Sequence, residues 1–175
     1  VAKQALPYVR CVGESWPLTL ERATFEHNAL VEERNYCPEH VPEIFHFSSK
    51  LALIVMRFVE APHLIMRKHL IARQRLPLVA DHLSTFLANT LFNSSYLNLE
   101  GGELRNRISE WSRNTAMCAL TEKVIFTDPY TDSPMNRWNQ PYLDTYVHGI
   151  RNDIQLKLAA EKLKVKFLSS TQALI

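Results

Sequence analysis

The chain has 175 residues, 46% hydrophobic and 22% charged, a composition that fits one ordinary globular domain or two lobes sharing an interface. Twenty basic against 18 acidic residues leave a formal net charge of +2 with no basic run, which gives no electrostatic case for a nucleic-acid partner. No stretch approaches the roughly 18–20 apolar residues of a membrane span, so no membrane partner is expected, and the first residues do not read as a secretory signal. Three scattered cysteines (Cys11, Cys37, Cys118) suit a reduced, cytoplasmic protein better than a disulfide framework. The seven histidines never fall into H-E-x-x-H and there is no C-x-x-C, so no metal site is expected. With only four glycines, two of them adjacent, there is no glycine loop to cradle phosphate.

Residues 1–9 read as a strand, followed by a loop punctuated by Gly13 and Pro17. A helix is expected from Pro17 or Leu18 to about Tyr36, with proline at its start. Val41–Phe47 and Leu51–Arg57 form two short apolar runs separated by "SSK", an antiparallel hairpin whose second strand, "LALIVM", is apolar enough for burial on both faces. "RFVEAP", from Arg57 to Pro62, breaks the pattern, and beyond it the chain is almost wholly helical. Pro77 to about Ser95 carries the stripe Leu83, Phe86, Leu87 and Leu91, read as core-facing. Glu103–Arg113 repeats the idea with Leu104, Ile108 and Trp111. "TDPYTDSPMNRWNQP" is a long loop, and helices over Leu143–Asn152 and Ile154–Leu174 close the chain. The last of these sets Leu156, Ala159, Ala160, Leu163, Phe167 and Leu168 against lysines. The outline is α+β: residues 1–57 as a small β-containing lobe, 58–62 as a connector, and 63–175 as a helical lobe.

Several phrases are specific. "KQALPYVRCVGESWPLTLERA", "VADHLSTFLANTLFNSS", "LTEKVIFTDPY" and "LKVKFLSSTQALI" together resemble the 5-methylthioribose kinase family, and "MRFVEAPHLIMRKHLI" looks like the connector of its plant-type members. The resemblance implies a protein-kinase-like two-lobe fold, incomplete here and related to choline and aminoglycoside kinases. It also implies an ATP-dependent phosphorylation of 5-methylthioribose to the 1-phosphate in methionine salvage, with Mg2+ and a homodimeric whole protein. Lys3 stands where the family holds its nucleotide-binding lysine. Arg57, Phe58 and Val59 match the segment that meets the adenine through backbone groups, although bacterial members often carry an acidic residue at the position of Arg57. The catalytic aspartate, the metal ligands and the sugar-holding arginines are expected after Ile175, so none is assigned in this chain, which reads as an internal piece, inactive alone.

Phosphoryl transfer needs positive charge on the phosphates and exact placement more than covalent help. A lysine on a strand supplies that charge, and a glutamate on the following helix keeps it aimed. Glu26 is the expected partner; Glu21, five residues earlier, lies on a different helix face. Trp16 reads as a packing residue, with room in the resemblance for a role near the nucleotide. His63 reads as a capping or surface residue, and Asp81, His82 and Asp128 as structural. Two other readings stay open: another small-molecule kinase of the same superfamily, and a non-catalytic kinase-like binding module.

Overall fold

The computed structural model describes residues 1–10 and 12–169, so Cys11 and the expected helix end at Leu174 lie outside the described residues. The chain divides into two compact units, Val1–Trp111 and a second that begins at Ser112.

The first unit holds all the described strands. β1 (Ala2–Gln4), β4 (Ile44–Ser48) and β5 (Leu53–Met56) form an antiparallel sheet in the order β1-β5-β4, and β2 (Tyr8–Val9) pairs with β3 (Gly13–Pro17) in a separate ribbon. The continuous strand expected over residues 1–9 is therefore broken in two. Pro7 has no N–H to continue the ladder with β5, and its carbonyl instead accepts from the Leu18 N–H, 3.0 Å, drawing the chain into the β2–β3 ribbon. "GESWP", expected as loop, is strand β3; it starts at Gly13, whose φ of +89° is open to glycine and costly for any other residue.

Pro17 thus ends a strand instead of starting a helix. Helix α1 runs over Arg22–Tyr36, and the Thr19 hydroxyl accepts from the Glu21 N–H just before it. The Arg22 guanidinium ties this start to the strand segment by donating to the carbonyls of Leu6 and Thr19, each at 2.6 Å. α1 lies on the sheet, burying Ala23 and Phe25 on the side where Ile54 of β5 is 1% exposed. Burial of β5 is less complete than expected: among its four residues only Ile54 is fully buried.

Three helices complete the unit: α2 (Met66–Ile71), α3 (Val79–Asn93) and α4 (Gly101–Trp111). The Trp111 ring meets Phe25 at 6.4 Å. The stripe on α3 departs from its reading, because Leu83 and Leu87 are about half exposed. Thr90 is the α3 residue that is buried, and its hydroxyl donates to the Phe86 carbonyl at 2.8 Å, which satisfies it inside the fold.

In the second unit, α5 (Thr115–Thr121) continues as a π-helical stretch, Glu122–Thr127, and a 3-10 turn, Asp128–Tyr130. Two further helices follow, α6 (Asp144–Asn152) and α7 (Ile154–Ser169). α7 packs on the π-helical stretch through Phe126 and Phe167, 5.3 Å between rings. Leu163, Leu168 and Leu158 of α7 are half exposed or more, while Ala160 is buried. Among the described residues, no helix is long and apolar enough to cross a membrane.

Candidate functional site

Strand register decides where Lys3 can point. Lys3 stands opposite Ile54, and Phe47 of β4 stands opposite Ile54 from the other side. Directly opposed residues of an antiparallel pair project to the same face. Lys3, Ile54 and Phe47 therefore form one row across three strands, on the face that carries α1. Above it, the His27 ring of α1 stacks on Phe47 at 4.2 Å with an 11° interplanar angle. One residue earlier on the helix, the Glu26 carboxylate accepts from the Lys3 ammonium. Glu21 sits at the head of α1 and takes no part.

The side chains of the pair are 57% and 38% exposed, so water screens it. An ion pair this open contributes no more than about 1 kcal/mol to folding. It fixes a direction, and it leaves the ammonium accessible on its outer side.

The segment after the sheet is tied down at one point. Arg57 N–H donates to the Glu43 carbonyl at 2.8 Å, its guanidinium donates to the Glu43 carboxylate, and the same group lies over the Phe45 ring, 5.4 Å from the centroid. Beyond it Phe58 and Val59 are exposed, and among the described residues their peptide groups make no hydrogen bond to other backbone. Val1 carbonyl accepts from the Met56 N–H at 2.9 Å, so β1 runs beside the end of β5. Lys3 is three residues from Arg57 in this register, roughly 10 Å along the sheet.

A cleft of about 530 Å³ opens beside this segment, lined by Arg34, His40, Glu43, Arg57, Val59 and His82 among others. His82, expected to be structural, has a histidine partner: α3 brings its Nδ1 to 3.1 Å from His40 Nε2, and His40 Nδ1 is 3.2 Å from the buried Cys37 thiol. His63 caps the bend through its Nδ1, 2.9 Å from the Glu60 carbonyl. Trp16 is half-buried on β3, and Asp81 is exposed at the head of α3. Asp128 is buried and paired with Lys123 at 2.7 Å, a structural role.

Sequence reasoning missed a second charged cluster. Arg107 of α4 pairs with Glu32 of α1 and, at 3.3 Å, with Glu103, and the Tyr36 hydroxyl donates to Glu32 at 3.3 Å. Burial opposes the charge on Arg107, but Glu32, with Tyr36 and Glu103, outweighs it and moves its pKa upward. Burial, then the Glu32 charge, also raises the pKa values of Tyr36 and Glu33. Arg107 and Glu32 are 75 residues apart, and no spacing rule in the sequence links them. Among the described residues, no three His, Cys, Asp or Glu side chains gather as a metal site.

No family model matches the chain. Curated proteins do, along its whole length. Methylthioribose kinase 1 of Oryza sativa subsp. japonica is 46% identical over 175 residues, methylthioribose kinase of Klebsiella pneumoniae 43%, and that of Escherichia coli 38% over 176 residues. The likeness read from the sequence phrases is borne out at this level. The chain spans 41–43% of the length of these relatives.

Proposed function

We propose that the chain is part of an ATP-dependent kinase that phosphorylates 5-methylthioribose to its 1-phosphate. Residues 1–57 belong to the nucleotide-binding lobe of a kinase-like fold, 58–62 form the connector, and 63–175 belong to the helical lobe. The observation that carries the reading is the Lys3–Glu26 pair, a strand lysine aimed by a helix carboxylate in a chain similar throughout to methylthioribose kinases.

The residues present fit a nucleotide. The Lys3 ammonium is half exposed and free to take phosphate oxygens on its outer side, and Glu26 keeps it from wandering. Phe58 and Val59 offer peptide groups without backbone partners among the described residues, the kind of donor and acceptor an adenine edge needs. Arg57 acts through its backbone, its side chain being engaged with Glu43. Bound ATP supplies the phosphoryl group. Lys3 neutralises its phosphate charge and Glu26 orients Lys3. In this reading the catalytic aspartate and the Mg2+ ligands come from the part of the relatives' length that this chain does not span, and the whole protein is a cytoplasmic homodimer.

The test is a kinase assay on the whole protein with 5-methylthioribose, choline and an aminoglycoside as acceptors. Turnover with 5-methylthioribose alone supports the reading. Preference for another acceptor, or no phosphorylation of any, overturns it.

A further inference from the structure

The loop "TDSPMNRWNQP" of the second unit does nothing in the reading above, yet it builds a site. Arg151 of α6 lies under Trp138, with the guanidinium carbon 5.0 Å from the indole ring centre. The Trp138 Nε1–H is itself held by the Asp144 carboxylate at 2.7 Å. The Arg151 side chain is only 16% exposed, and one of its nitrogens, Nη1, is 3.1 Å from Asp132. Among the described residues, its Nε and Nη2 are buried with no hydrogen-bond partner.

Those two nitrogens form the side edge of the guanidinium plane, two parallel N–H donors spaced to meet two oxygens of one oxyanion. A buried donor pair left empty is costly, and a charged one more so. The indole stands against the guanidinium carbon and holds the group in place. Arg151 lines a cleft of about 380 Å³ together with Ser133, Asn136, Arg137 and Gln140. The named lining holds two arginines and one carboxylate, that of Asp132, whose side chain is 92% exposed. Asp132, Arg137 and Gln140, which line the same cleft, are exposed, so rotamer changes in them can make room for a ligand beside Arg151 without disturbing the core.

We propose that the Nε–Nη2 edge of Arg151, held by Trp138, is a binding site for a small oxyanion, the carboxylate or phosphate group of a metabolite, beside the Nη1 that Asp132 holds. This site uses none of the residues assigned to the nucleotide, and its test is independent of kinase activity.

The experiment titrates inorganic phosphate, and separately acetate, into the 175-residue chain at fixed ionic strength while tryptophan emission is followed. A saturable change with either anion is expected, and the anion that produces it tells phosphate from carboxylate. The change should vanish in Trp138→Phe. It should weaken about tenfold or more in Arg151→Lys, since lysine keeps the charge but loses the fork and at least one charge-assisted hydrogen bond. Asp132→Asn should tighten binding several-fold by removing a negative charge that, from the neighbouring Nη1, repels the anion. No saturable change with either anion, which would leave a buried water as the partner, overturns the site. So does equal binding by Arg151→Lys. If that variant fails to melt cooperatively, Asp132→Asn decides, and unchanged affinity there counts against the site.

Discussion

Lys3 and Ile54 face each other across the β1–β5 pair, and this register aims the lysine at α1. Ile54 is the buried centre of the row, at 1% exposure, and Lys3 is its charged outer member. A shift of one residue would turn Lys3 to the opposite face and away from Glu26. The apolar centre thus sets the geometry that the proposed phosphate contact needs.

Lys3→Ala should therefore separate function from stability. The exposed pair contributes little to folding, so the melting free energy should fall by no more than about 1 kcal/mol. In the whole protein, turnover with ATP should fall roughly a hundredfold, the usual scale for removing one preorganised charge-stabilising donor. Glu26→Gln should give a milder loss in the same direction. Unchanged turnover in Lys3→Ala would remove the lysine from phosphate binding.

Ile54→Ala should do the reverse. Truncating this fully buried side chain leaves a cavity under α1, and a cost of about 3 kcal/mol is expected. Ile54→Val should cost about 1 kcal/mol. Denaturant melts of the 175-residue chain would check both, and an alanine cost near that of valine would mean that the sheet and α1 do not pack as described.

How far the sequence reveals this arrangement depends on whether the signal is local. The hairpin of β4 and β5 and the course of α1 follow from short apolar runs and helical spacing, and helical spacing shows that Glu21 and Glu26 cannot both meet a strand lysine. The break between β1 and β2 was hidden because Pro7 does not announce which ribbon the chain will join. The α3 stripe misled: Leu83 and Leu87 have core spacing, yet the buried place on that helix goes to Thr90, whose hydroxyl is satisfied within its own turn. His40 with His82, 42 residues apart, and Glu32 with Arg107 are products of packing, invisible to any rule of spacing.

The Glu32–Arg107 pair should matter more than Lys3–Glu26, because its side chains are 13% and 26% exposed. Among the described residues, Arg107→Met leaves Glu32 with only the Tyr36 hydroxyl, and a loss of about 2–3 kcal/mol is expected, below the range for fully buried pairs. Adding Glu32→Gln should recover much of that loss, since the uncompensated charge goes with it. A double-mutant cycle by urea melts checks this, and strict additivity would show that the two groups do not interact.

The same cluster predicts a pH effect at Glu33. Burial, and secondarily the charge of Glu32, raises its pKa in the folded chain above the ordinary 4.5. Between 4.5 and that raised value the folded state binds more protons than the unfolded one, so stability falls as pH rises through this window, and the full penalty persists above it. Glu33→Gln carries no such penalty. The variant should be more stable than the parent at neutral pH, with the gain shrinking as pH drops through the window and gone below about 4.5. Parallel thermal melts from acid to neutral pH would show the two curves converging at the acid end. A difference that does not vary with pH would mean that Glu33 titrates alike in the folded and unfolded chain.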